Sequence, residues 1–357
     1  MKKVSVVVPC YNAAEYLDKC ISQLLRQTIG VENIEIILVD DASSDQGKTK
    51  SLIQDYEQQF PETITAIFLN ENMRQGGARN VGISCAGGEY LTFCDADDWL
   101  LEEALEHVYQ AAETYAADIV AFSRKNVSVR NSCIKLEKGT KDELFELDEE
   151  EKKRAFLLNT RETGYSSQNK LFRRSLIREN QITFVEHLVM EEPSFSLPAR
   201  LYAKRYYYLD ESLYICYLSS GSTLRNNNWE SRKWDNLQVW ITMMEELKYR
   251  GMLLKYQEEI EYLFFTLGVG WSLSTLFLRG CTLTKEEWAI YADVMKKMLP
   301  DIRQNPYIVD AAHPFNRAWN NLLFTVLDME LTDENAKAAE QAMTECVQAF
   351  SACPALC

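Results

Sequence analysis

The chain has 357 residues, enough for about two domains of roughly 150 residues each. Hydrophobic residues make up 46% and charged residues 25%, the balance of a globular protein rather than a disordered or repetitive one. Against 38 Lys and Arg stand 53 Asp and Glu; the formal charge of −15 argues against nucleic acid as a partner and against non-specific adhesion to an anionic membrane.

Along the first 125 residues two periodicities alternate. Val4–Val8 is a β-branched run closed by Pro9, which reads as a buried strand. Ala13–Gln27 carries Tyr16, Leu17, Cys20, Ile21, Leu24 and Leu25 at helical spacing. Ile34–Val39 reads as a second strand, Lys50–Phe60 as a polar helix, Ile64–Leu69 as a third strand and Gly76–Ala86 as a short helix. Tyr90–Cys94 reads as a fourth strand, Trp99–Tyr115 as a helix and Asp118–Ser123 as a fifth strand. Such alternation predicts βαβ units, right-handed crossovers and a mostly parallel sheet covered on both faces. Ligands bind such sheets at the carboxyl ends of the strands. There the second strand ends in Asp40-Asp41 and the fourth in Asp95-Ala96-Asp97-Asp98.

Beyond Asn126 the pattern loosens. Glu137–Lys153 is a charged run that reads as a solvated connection or an exposed helix face. Arg154–Tyr217 mixes short elements. Trp234–Tyr249, Tyr256–Leu278, Lys285–Leu299 and Asn335–Phe350 read as helices, so a boundary is placed near residue 225, dividing 1–225 from 226–357. Tyr262–Leu278 is apolar but shorter than the roughly 20 residues that span a bilayer, and reads as a buried helix, with a membrane-facing helix as the alternative.

Several chemistries lack their signatures. The ten cysteines form no CxxC pair, and reduced thiols in a cytoplasmic protein are the simplest reading. The apolar stretch before Pro9 is too short for a signal peptide. The turn after the first strand, PCYNAAE, lacks the glycines of a dinucleotide site. Gly47-Lys48-Thr49 resembles the end of a P-loop, but Ala42 stands where its first glycine belongs. His107, His187 and His313 are dispersed, and neither HExxH nor GxSxG occurs. The DADD run is different. Two carboxylates one residue apart at a strand end can address one hard cation such as Mg²⁺ or Mn²⁺. The alternative is that Asp97 or Asp98 caps a helix beginning at Trp99.

VSVVVPCYNAAEYLDKCISQLLRQT, EIILVDDASSDQ and NENMRQGGARNVGISCAGGEYLTFCDADDW together resemble a family 2 glycosyltransferase of the GT-A fold. The likeness is continuous over about residues 4–125. It extends more loosely through NKLFRRSLI, MEEPSF and YICYLSSGST, as in the bacterial surface-polysaccharide branch. It implies a Rossmann-like, mostly parallel sheet flanked by helices, followed by a mainly α-helical C-terminal region.

The same resemblance implies roles. Pro9, Tyr11 and Asn12 would floor a nucleotide pocket. Asp40 and Asp41 would accept hydrogen bonds from the base or ribose, or else cap the segment Ala42–Asp45. Gly76 and Gly77 would allow close backbone approach. Arg79 would pair with phosphate or order a carboxylate. Asp97 would bind the metal and Asp95 the ribose or metal waters, with Ala96 between them. In MEEPSF, Glu192 stands where the family usually has an aspartate base, with Glu191 as the alternative. Lys170, with Arg173, would supply positive charge near the phosphates unless it is an exposed basic turn. Ser222 would touch the diphosphate. The implied activity is inverting transfer of a sugar from a nucleotide sugar, UDP-linked, to a carbohydrate or lipid-linked acceptor hydroxyl, with Mn²⁺ or Mg²⁺. The alternatives are a nucleotide-sugar-forming nucleotidyltransferase and a non-catalytic nucleotide- or glycan-binding module. Expected partners are the UDP-sugar and a glycan acceptor, with peripheral contact at the inner membrane face and homo-oligomerisation as open options for the helical end.

Overall fold

The computed structural model describes residues 2–129, 134–159, 164–218, 229–309, 314–328 and 332–351. Two compact units divide the chain, Met1–Arg225 and Asn226–Cys357.

Among the described residues, the first unit is built on a nine-stranded sheet. In chain order it contains β1 (Val4–Cys10), α1 (Leu17–Leu25), β2 (Ile34–Asp40), α2 (Lys48–Gln59), β3 (Ile64–Phe68), α3 (Arg74–Cys85), β4 (Tyr90–Phe93), β5 (Trp99–Leu100) and α4 (Ala104–Thr114). There follow β6 (Ile119–Val127), β7 (Glu143–Glu146), α5 (Glu150–Leu158), β8 (Lys170–Arg173), α6 (Arg174–Glu179), α7 (Glu192–Tyr202) and β9 (Arg205–Tyr217). The spatial order is β3-β2-β1-β4-β8-β6-β9-β5, with β7 on β9. β3, β2, β1 and β4 run parallel, and β8 then enters antiparallel between β4 and β6.

β1 is buried along its whole length, so its side chains serve both layers of core. Val6 and Val8 pack with α1 residues Leu17, Cys20, Ile21 and Leu24. Val7 packs into the opposite layer with Ala78, Phe93, Phe172, Phe184 and Phe195. The register pairs Cys10 with Asp40 and Val7 with Phe93. The chain therefore leaves β1, β2 and β4 at one edge of the sheet, and the loops Tyr11–Tyr16, Asp41–Gly47 and Cys94–Asp98 meet there.

Three expectations change. Trp99–Tyr115 is not one helix: Trp99 and Leu100 pair with Ile215 and Tyr214 of β9, and the helix begins at Ala104. A strand partner 116 positions from Trp99 overrides the local helical pattern, and with it goes any role for Asp97 or Asp98 as a cap at Trp99. The charged run Glu137–Lys153 is also more ordered than its composition suggests. Glu143–Glu146 forms an antiparallel strand on β9, and Lys153 is buried, its ammonium donating to the carbonyls of Leu201 (2.7 Å) and Ala203 (2.5 Å). Finally, Arg205–Tyr217 is one long strand rather than a mixture of short elements, because it receives β6, β7 and β5 along its length.

The second unit comprises α8 (Asp235–Tyr249), α9 (Met252–Lys255), α10 (Gln257–Leu263), α11 (Trp271–Leu278), α12 (Lys285–Met298), α13 (Pro306–Val309), α14 (Pro314–Leu327) and α15 (Asp333–Ser351). Thr284 and Glu287 cap α12 reciprocally, side chain to backbone. α10 and α11 join through a π-helical stretch, Phe264–Gly270. The widened turn exposes carbonyls of Leu267 and Gly268 to the Asn236 amide (3.2 and 3.4 Å), which also reaches Ser272 Oγ (2.5 Å). The run Gln257–Leu278 is long and apolar enough to cross a membrane, yet 67% of its apolar window is buried within the protein. Phe264, Phe265, Val269 and Leu273 lie in that buried face, as a core helix requires.

Candidate active site

A cleft of about 200 Å³ opens at the edge where the loops after β1, β2 and β4 meet. Pro9, Tyr11, Asn12, Asp41, Asp95, Ala96, Asp97 and Glu191 line it, so eight residues selected from the sequence come together. Cys10, Ala13, Tyr16, Asn72, Arg74, Gln75, Leu188 and Val189 complete the lining and were not selected.

The first wall is a pair of interlocked loops. Asn12 takes left-handed backbone (φ 50°), where its short polar side chain can compensate locally. Its N–H donates to Ser43 Oγ (2.9 Å), and Ser44 N–H donates to its Oδ1 (2.8 Å). Asp41 faces the cleft, and its Oδ1 accepts the Met73 N–H (2.7 Å). Burial pushes the Asp41 carboxyl up, while the Met73 and Arg74 N–H groups and the Arg74 charge pull it down. Asp40 is buried behind it, with Oδ1 accepting the Ser43 N–H (3.3 Å), which is the turn-capping alternative.

The floor is an ionic cluster. Arg79, on α3, is completely buried and donates to Asp95 Oδ1 (2.7 Å) and to Glu191 Oε1. Its guanidinium lies 5.3 Å from the Phe184 ring centroid, and Phe184 stacks on Phe195 at 4.2 Å. Burial works against the charged guanidinium, but Asp95 and Glu191 more than offset it and hold Arg79 protonated. Burial pushes the Glu191 carboxyl up to about 7, with Arg79 pulling the other way. Arg79 is thus paired with two carboxylates and presents no exposed surface to the cleft. The glycines beside it give α3 its close fit. A Cβ at Gly76 would strike the Val185 carbonyl, and one at Gly77 would strike the Met73 side chain.

Asp95 is held from a second direction. Gln168 Nε2 donates to its Oδ2 (2.9 Å), and Tyr214 Oη accepts its backbone N–H (3.2 Å). The Tyr214 hydroxyl in turn donates to Asp98 Oδ2 (2.7 Å), and the Tyr217 N–H donates to Asp98 Oδ1 (2.7 Å). Asp98 thus clamps the DADD turn to β9. Burial, with the Asp95 and Asp97 charges, pushes its carboxyl up to about 8. Asp97 remains at the cleft.

Glu192 opens α7 beside Glu191 and is half-buried; its charge acts on both Arg79 and Lys170. Lys170 is not at the cleft and is not an exposed turn. It is buried in β8, its ammonium donating to the Ser166 carbonyl (2.6 Å), because β8 is enclosed between β4 and β6. Arg173 lies at the far end of β8, near Glu89 and Asp118 (3.8 and 3.6 Å). Ser222 lies outside the described residues. Gln168 and Tyr214 carried no local signal; their roles depend on contacts 73 and 119 positions distant.

Burial, with the Arg200 charge, pushes the Lys170 ammonium down to about 7 from its ordinary 10.5. The unfolded chain then binds more protons than the folded one between those values, so this group makes stability rise with pH from about 7 to about 10. The unfolding free energy of the parent minus that of Lys170→Met is expected to grow over that range in urea titrations. A difference that stays flat would refute the buried, shifted lysine.

The sequence model for "Glycosyl transferase family 2" matches residues 5–180. A poly(ribitol-phosphate) beta-glucosyltransferase of Bacillus spizizenii is 31% identical over 216 residues, covering 58% of this chain and 32% of that protein. The chain thus spans about a third of the length of that relative. Among solved structures, Staphylococcus aureus TarS 1–349 in complex with UDP-GlcNAc superposes with a TM-score of 0.55 at 20% identity, covering 98% of this chain and 89% of that one. A mannosyltransferase of Pyrobaculum calidifontis in complex with GDP-Man and Mn²⁺ superposes with a TM-score of 0.52 at 15% identity, covering 95% and 87%. At such identities the structural likeness speaks to the fold.

Proposed function

Residues 5–180 belong to glycosyl transferase family 2, and from that premise we propose that the chain is an inverting glycosyltransferase that moves a sugar from a UDP-linked donor to a hydroxyl of a carbohydrate acceptor. The observation that carries the proposal is the acidic cleft at the carboxyl ends of β1, β2 and β4, with Asp41, Asp95, Asp97 and Glu191 around it and Tyr11 half exposed at its mouth. The sheet-edge position, the family and the UDP-GlcNAc complex of TarS all favour a nucleotide sugar over the alternatives. A nucleotidyltransferase wants a glycine-rich basic loop after the first strand, and PCYNAAE supplies none.

Among the described residues, no three His, Cys, Asp or Glu side chains converge as a metal cage. The donor set nonetheless fits a hard divalent ion. Asp95 and Asp97 offer only oxygen, and Mg²⁺ or Mn²⁺ commonly takes one or two carboxylates and completes its shell with water and substrate phosphate. Asp97 would hold the ion, with Asp95 beside it. Bound there, the ion supplies charge neutralisation on the leaving diphosphate.

The remaining work falls to the protein. Pro9, Tyr11 and Asn12 form the wall against which the nucleoside packs, and Asp41 accepts a hydrogen bond from it. Arg79 and Gln168 hold Asp95 in one orientation, so that little reorganisation accompanies binding. Glu192 takes the proton from the acceptor hydroxyl as it attacks the anomeric carbon. Glu191 is less suited, since Arg79 already occupies it.

Glu192→Gln is expected to bind UDP like the parent and to lose about 10²- to 10⁴-fold in transfer, the usual contribution of a general base. Transfer by Glu192→Gln at the parent rate would move the base elsewhere. Screening UDP-sugars for UDP release in the presence of Mn²⁺ tests the whole reading: release from none of them refutes it.

A further inference from the structure

Arg74 sits at the first position of α3 with φ 64°, a left-handed conformation that residues with a Cβ adopt at a cost and glycine adopts freely. The turn that imposes it is tied on both sides. Asp41 Oδ1 accepts the Met73 N–H (2.7 Å), Asn72 Nδ2 donates to the Asp41 carbonyl (3.2 Å), and the His187 N–H donates to the Met73 carbonyl (3.0 Å). An arginine held in strained backbone at the cleft invites a functional reason.

Its charge supplies one. Of the described residues that line the cleft, Arg74 alone carries a cationic side chain, against Asp41, Asp95, Asp97 and Glu191. Arg79 does not help, because it is sealed beneath and its two terminal nitrogens are paired with Asp95 and Glu191. Arg74 is exposed, and its charge is felt by the Asp41 carboxyl on the same wall. The diphosphate gains negative charge as UDP leaves the sugar, and the carboxylates that hold a divalent ion already claim part of that ion's charge, so the exposed guanidinium at the mouth is the group placed to take the remainder.

We propose that Arg74 binds the diphosphate of the donor, making it the anion-contacting and affinity-determining residue of this cleft. The proposal rests on the nucleotide-sugar reading above.

The test is titration of the full-length chain with UDP, UMP and uridine in MnCl₂, on the parent, Arg74→Gln and Arg74→Lys. Arg74→Gln is expected to weaken UDP about tenfold to a hundredfold, as loss of a charge-assisted contact does, while uridine binding is unchanged. Arg74→Lys is expected to recover most of the UDP affinity. UDP binding by Arg74→Gln equal to the parent's overturns the assignment. Equal losses for UDP and uridine overturn it too, since they indicate a collapsed turn. A parent that binds none of the three ligands overturns the nucleotide reading itself, and the Arg74 assignment with it.

Discussion

Arg79→Met is expected to lower the stability of the first unit by about 3–5 kcal/mol, the usual cost of removing one partner from a buried ionic cluster. For a unit of this size that corresponds to a fall of about 10 °C in Tm, readable by circular dichroism. The physical cause is specific. Met fills much of the volume over Phe184, but Asp95 and Glu191 lose the cation that both of them face. Glu191 is 2% exposed and already pushed up to about 7, so without Arg79 it rises further. A carboxyl that is raised in the folded state binds more protons there than when unfolded. The variant should therefore lose least at pH 5 and progressively more as pH rises through 7. Arg79→Met combined with Glu191→Gln should regain part of the loss, because neutralising one carboxyl removes part of the unbalanced charge. A variant with unchanged Tm at pH 7 would falsify the view that this cluster is the structural floor of the site.

Asp97→Ala is expected to abolish metal-dependent release of UDP, with a fall of about a thousandfold or more, several kcal/mol of lost charge stabilisation at the leaving group. The parent in EDTA should fall to the same level, and restoring Mn²⁺ should rescue the parent but not the variant. The neighbouring carboxylates are poor substitutes. Asp95 has both oxygens engaged by Arg79 and Gln168, and Asp98 is turned away to Tyr214 and Tyr217. Tm within a few degrees of the parent would separate a lost ligand from a lost fold. Full turnover by Asp97→Ala, or by the parent in EDTA, overturns the metal role.

These two residues are legible in the sequence to different degrees. Asp97 follows a short apolar strand, inside an acidic run whose position at a sheet edge can be inferred from the alternation of periods 2 and 3.6. Arg79 is visible as part of a family-like motif, but not as a buried clamp, since its partners Asp95 and Glu191 lie 16 and 112 positions away. The same limit applies at Trp99. Its neighbourhood has helical spacing, yet pairing with Ile215 takes precedence, because a strand docked against β9 buries more of Trp99 and Leu100 than an isolated helix start can. Lys170, read as a charge near the phosphates or else as an exposed basic turn, stands instead in the middle of an enclosed sheet.

Sequence by itself determined the strands β1 to β4 and their parallel βαβ character, the helical character of the described residues beyond 229, and the presence of carboxylates after β2 and β4; the strand order came from the structure. Those features follow from local hydrophobic periodicity and from strand ends that short-range composition reveals. Only the tertiary structure decided which of those carboxylates share a cleft, that Asp98 and Glu191 are tied to Tyr214 and Arg79, and that Arg74 stands in left-handed backbone at the mouth. Burial and pairing depend on what distant strands bring alongside, and the charges of an acidic chain acquire distinct roles only once that packing separates the shielded from the exposed.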